Sequence, residues 1–102
     1  MNKIKDLLNE AQKIDANLRQ AHAELAQEQF KMSKNGLVSF TFYGDRTIKD
    51  VELTKEGLNP DNKELLEDTI KLVIHEILQH IKKAEDDINS QIMGSTKIEG
   101  LF

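Results

Sequence analysis

Residues 2–27 contain no glycine or proline and carry apolar side chains at the repeat of one long helix. Ile4, Ala11, Leu18 and Leu25 recur every seven residues, with Leu7, Ile14 and Ala21 between them at the spacing of a coiled-coil seam. Leu8 and Ala26 widen the stripe. A helix of this length spans roughly 39 Å at ~1.5 Å per residue. A compact domain of about 100 residues has a radius of gyration of only about 13 Å. Part of the helix must therefore project or pack on another chain.

The next segments alternate with a period of two. Phe30 and Met32 mark a strand within Glu28–Lys34, and Asn35-Gly36 is a hairpin turn, because both residues tolerate positive φ. Leu37–Tyr43 is the clearest strand: Val38, Phe40 and Phe42 point one way, and Ser39, Thr41 and Tyr43 the other. Gly44-Asp45 marks a second turn. In Arg46–Leu53 the alternation slips by one residue around Lys49-Asp50, and a β-bulge there returns Ile48, Val51 and Leu53 to one face. The expected sheet core is Val38, Phe40, Phe42, Ile48, Val51 and Leu53.

Thr54–Asn62 reads as a loop with Gly57 and the only proline, Pro60, and Asn59 or Asp61 as N-cap. A second long helix runs from about Asp61 to Met93. Leu66, Ile70, Val73, Ile77, Ile81, Ala84 and Ile88 form its stripe, and Leu65, Leu72, Ile74 and Leu78 a second flank, so its middle touches both the sheet and another helix. The tail, Gly94–Phe102, carries Ile98, Leu101 and Phe102. The expected architecture is α+β in a single domain over residues 1–102. It comprises a helix arm (1–27), a three-stranded antiparallel sheet (28–54), a second long helix (61–93) and a tail (94–102).

Two such helices carry more apolar surface than one three-stranded sheet can cover, and an exposed Leu or Ile forfeits roughly 1.5–3 kcal/mol. The chain is therefore expected to form a homodimer. Core or dimer contacts fall to Ile4, Leu7, Ile14, Leu18, Leu25, Val38, Phe40, Phe42, Ile70, Val73, Ile77 and Ile81.

Signatures of chemistry are missing. With no cysteine there is no disulfide and no thiolate nucleophile or ligand. His75 and Glu76 begin an HExxH-like pattern, but Gln79 stands where the second histidine belongs; His80 is one residue too far and His22 is remote. Adjacent carboxylates such as Glu67-Asp68 and Glu85-Asp86-Asp87 diverge by ~100° on a helix and do not converge on a substrate. No enzyme activity, metal, cofactor or small-molecule substrate is implied. The longest apolar run, Leu72-Val73-Ile74, is far below the ~20 residues of a membrane helix, so the expectation is no membrane partner and a cytoplasmic location.

Charge is the remaining functional signal. The net charge of −4 divides into +2 over residues 1–49 and −6 over residues 50–102. Lys3, Lys5, Lys13 and Arg19 lie opposite or flanking the stripe of the first helix, Lys82 and Lys83 on the second, and Lys97 in the tail. No aromatics interleave with them, which disfavours a single-strand binder of the stacking type.

The order of features resembles the YbaB/EbfC family of nucleoid-associated DNA-binding proteins over nearly the whole chain. Asn35-Gly36 followed by Leu37-Val38-Ser39-Phe40-Thr41-Phe42 is similar to the family's Gly-rich turn and valine-rich strand. Tyr43-Gly44 stands at its Asn-Gly turn, and Asn62-Lys63-Glu64-Leu65-Leu66-Glu67-Asp68 opens the second helix in the same manner. Met93-Gly94 through Gly100-Leu101 resembles its terminus. Val73, Ile74 and Leu78 depart from the small residues of relatives. The resemblance implies a tweezer-shaped homodimer, associated with the nucleoid, that binds double-stranded DNA. Lys3, Lys5, Lys13, Arg19, Lys82, Lys83 and Lys97 are the candidate contacts. The competing reading is a protein-interaction or scaffold dimer that does not bind DNA.

Overall fold

In the computed structural model, which describes residues 3–95 with side chains up to Ile92, the order is helix, three strands, helix. Helix α1 spans Lys3–Gln27, strands β1, β2 and β3 span Gln29–Lys34, Val38–Tyr43 and Ile48–Leu53, and α2 spans Lys63–Ser95. The sheet is antiparallel in the order β1-β2-β3. The fold is α+β, as expected, and strongly elongated: its radius of gyration is 20.2 Å and its extents are 74 × 23 × 13 Å.

Local chemistry explains each boundary. Asn35 and Gly36 take φ of 57° and 66°, the left-handed region, and the Leu37 N–H closes the turn on the Lys34 carbonyl at 3.1 Å. Before α2, the Asn59 side chain accepts the Asp61 N–H at 2.9 Å, Pro60 occupies the first position of a 3-10 turn over Pro60–Asn62, and α2 continues from it.

The core lies between α2 and the sheet. Thr69, Val73, Ile77 and Ile81, spaced by four, are buried in α2, and the last three cluster with Val38, Phe40 and Phe42 of β2. Phe30 and Met32 of β1 and Leu66, Ile70, Ile74 and Leu78 of α2 pack around them. Asn35 Nδ2 donates to Thr69 Oγ1 at 3.0 Å, and Lys34 reaches Glu76 at 3.0 Å, so the first hairpin is tied to the helix at two points.

Strand β3 differs from expectation in one respect. The register does slip between Thr41 and Phe42: Thr41 faces Asp50 and Phe42 faces Ile48, leaving Lys49 as the extra residue of a bulge. Ile48, Val51 and Leu53 therefore stand opposite Phe42, Phe40 and Val38, on the core face. Their expected burial is corrected, because they remain 53, 50 and 45% exposed. Helix α2 lies over β1 and β2 and stops short of β3.

Gly44 fixes the root of α1. A Cβ there would lie 1.9 Å from the Leu25 carbonyl oxygen and 2.7 Å from its carbon, and the Gly44 N–H donates to Glu28 O at 2.9 Å. The glycine is needed for close approach of the helix end to the turn. Gly44→Ala is expected to cost about 3 kcal/mol, the top of the usual overpacking range. Urea unfolding measures it, and a loss under about 1 kcal/mol would show that α1 is free to move off the turn.

Candidate nucleic-acid interface

The two helices leave the sheet together. Leu25 rests on Gly44, and two residues further along the same turn Arg46 holds Glu85 of α2. Further out, His22 and Asn89 share a hydrogen bond of 2.9 Å. Going backwards along α1 and forwards along α2 thus leads the same way, and the pair is antiparallel. Ser95, six residues past Asn89, is level with Ala16, six before His22. Residues 3–15 of α1 extend beyond that level by roughly 20 Å.

The apolar stripe of α1 divides accordingly. Leu25 is buried, Leu18, Ala21 and His22 are half-buried beside α2, and Ile14 is half-buried just beyond the level of Ser95. Ile4, Leu7 and Leu8 are 76, 55 and 59% exposed. Ile4 and Leu7, assigned to core or dimer contacts, thus have no cover within the described chain. Ile70 is half-buried; Val73, Ile77 and Ile81 are fully enclosed.

The seven candidate cations fall into three groups. Lys3, Lys5 and Lys13 are exposed along the projecting arm and have no ion-pair partner among the described residues. Lys3 and Glu10 flank the apolar stripe on one edge, and Lys5 and Lys13 lie on its far side, with Asp6 next to Lys13 around the helix. Arg19, Lys82 and Lys83 are each paired with a carboxylate four residues away on the same helix: Asp15 at 2.5 Å, Asp86 at 3.1 Å and Asp87 at 3.5 Å. Such exposed pairs are worth little to stability, but they neutralise the local field. Lys97 lies outside the described residues.

The acidic run Glu85-Asp86-Asp87 is split rather than pooled. Asp86 and Asp87 turn to the lysines, while Glu85 takes both guanidinium nitrogens of Arg46, at 2.7 and 2.8 Å. Arg46 sits at φ 71°, a conformation that is costly for a residue with a Cβ, and its N–H donates to Tyr43 O at 2.9 Å. The two-pronged pair with Glu85 helps to hold it there. Arg46 holds the Glu85 carboxyl below its usual value chiefly by these hydrogen bonds; partial burial opposes this, and the charges of Arg46, His22 and Lys82 reinforce it. A depressed carboxyl stabilises the fold above its unfolded pKa, and that support is lost as pH falls through the folded value. The pair is partly solvated, so the effect is modest.

Sequence reasoning placed Arg46 only at the start of a strand. Its partner is 39 residues away, and no local spacing signals the contact. The neutralisation of Lys82 and Lys83, in contrast, follows the four-residue spacing visible in the sequence. No group of three or more metal-binding side chains occurs among the described residues, and no described helix is long and apolar enough to cross a membrane.

A small sheet backed by one helix, with a second helix projecting from its root as a partly cationic arm, defines a class of elongated α+β proteins. Within that class the assignment is specific: the chain belongs to the YbaB/EbfC DNA-binding family, which it matches over residues 1–96. It is 35% identical over 95 residues to a nucleoid-associated protein of Lactobacillus gasseri, covering 92% of this chain and 84% of that one. A nucleoid-associated protein of Mycoplasmopsis pulmonis is 27% identical over 89 residues, 87% of this chain and 88% of the relative. One from Streptococcus agalactiae is 29% identical over 96 residues, 93% of each chain.

Proposed function

We propose that the chain is a homodimeric nucleoid-associated protein that binds duplex DNA through its helical arms with little sequence preference, and so influences nucleoid organisation or gene expression in the cytoplasm. The observation that carries the reading is the projecting half of α1, where Lys3, Lys5 and Lys13 are exposed and have no ion-pair partner among the described residues. Family membership and the names of the relatives supply the ligand class. The bare β3 face supplies the dimer contact: Ile48, Val51 and Leu53 stand about half exposed on the core side of the sheet, and a second copy covers this patch by two-fold packing.

Lysines on an exposed helix reach phosphates, which are the same at every base pair, so affinity comes without sequence readout. Two-fold symmetry doubles the patch. Arg19, Lys82 and Lys83 contribute less, because DNA must displace their carboxylate partners first.

The test is a mobility shift on two unrelated duplexes. With four to six phosphate contacts per dimer, raising salt from about 50 to about 200 mM is expected to weaken binding by two to three orders of magnitude. Replacing Lys3, Lys5, Lys13 and Arg19 by Gln flattens the salt slope and leaves the dimer intact. Absence of any shift at the lower salt replaces this reading with a scaffold dimer that ignores DNA.

A further inference from the structure

The tip of α1 carries a second surface suited to another copy of this chain, separate from the β3 face. Ile4, Leu7 and Leu8 continue the stripe that α2 covers further down, yet they lie beyond the level that α2 reaches among the described residues. Phosphates give nothing to such a stripe, since an apolar side chain offers them no hydrogen bond or charge. Lys3, Asp6, Leu7 and Glu10 frame a shallow hollow on its edge. Their spacing of i, i+3, i+4 and i+7 is that of the four residues between which a side chain from a facing helix inserts.

The edge charges identify the occupant. Lys3 and Glu10 are seven residues apart on one edge of the stripe, carry opposite signs, and have no ion-pair partner among the described residues. In an antiparallel helix pair each edge meets itself reversed. Lys3 of one copy then stands beside Glu10 of the other, and the same pair recurs by symmetry. Ile4 of each copy packs beside Leu7 of the other. Only residues 3–10 overlap, so the two α2 helices do not collide.

We propose that the α1 tips associate in this antiparallel manner, joining one homodimer to the next. The contact goes beyond the dimer proposed above and uses none of its residues. In a DNA-binding dimer it leaves Lys5 and Lys13 on the far side of the arm, available to phosphate, so that linked dimers hold neighbouring stretches of duplex.

Sedimentation velocity over a wide concentration range tests it, using the full chain without DNA. A contact this small is weak, with a Kd on the order of 100 µM. The expected result is a second association step above the dimer. Leu7→Gln weakens that step by at least about a hundredfold, since two leucines leave each contact. Lys3→Glu weakens it several-fold, and adding Glu10→Lys to the same chain restores it, because the swapped charges face each other again. The sheet-mediated step responds to Val51→Asp and not to Leu7→Gln, so failure of either contact is read separately. The proposal is overturned by any of three results: no step sensitive to Leu7→Gln, no rescue by the charge swap, or concentration-independent protection of the residue 3–13 amides, which would place another part of the same chain on the stripe.

Discussion

Phe40→Ala is expected to destabilise the chain by about 3–5 kcal/mol, the range for truncating a buried aromatic. Phe40 is 6% exposed at the centre of β2, with Met32 on one side in the register and Val51 on the other. Its ring lies 6.3 Å from that of Phe42 at a tilt of 48°, within the favourable range for an aromatic pair. The helix above it is fixed by Val73, Ile77 and Ile81, none of which is long enough to fill the space a lost ring leaves. Domains of this size have only about 5–15 kcal/mol of stability in total. The urea midpoint should therefore fall sharply at constant m-value, measured at one protein concentration because association contributes. A loss under about 1 kcal/mol would contradict burial of this face beneath α2. Ile48→Ala in the same sheet should cost the isolated chain much less, because half of that side chain already faces solvent.

The contrast between Phe40 and Ile48 shows what sequence pattern can and cannot reveal. Alternation identified both as residues of one face, and the slip at Lys49-Asp50 located the bulge that puts them there. Period two states which side of the sheet a residue occupies, but not whether a helix lies over it. That depends on the angle at which α2 crosses, which is set by long-range contacts such as Asn35 with Thr69 and Lys34 with Glu76. The long helices, the Asn35-Gly36 turn and the cap near Pro60 were readable because each is decided within a few residues. Gly44 was readable as a turn, while its approach to Leu25 was not, since the two are brought together only by the finished fold. Among the cations, the lack of described partners for Lys3, Lys5 and Lys13 and the role of Arg46 required coordinates.

Val51→Asp is expected to disperse the homodimer while the chain keeps its fold. Val51 stands directly opposite Phe40 but is 50% exposed, so an aspartate there meets solvent in the single chain. In the proposed two-fold contact it would be enclosed. Each copy then loses about 1.5 kcal/mol of apolar burial and must desolvate a carboxylate within an apolar contact. Because the contact is isologous, both penalties occur twice. A combined loss of about 4–6 kcal/mol raises Kd by roughly three to four orders of magnitude. At micromolar concentration the mass in sedimentation should fall from twice the 11.7 kDa chain to the chain itself. Val51→Thr, which keeps the β-branched shape, should retain the dimer and separates a charge effect from a packing effect. The same variant reports on DNA. One arm in place of two halves the phosphate contacts, so the slope of log affinity against log salt should drop to about half its original value. If Val51→Asp remains dimeric with an unchanged slope, the β3 face does not join the copies, and the dimer contact must be sought elsewhere on the chain.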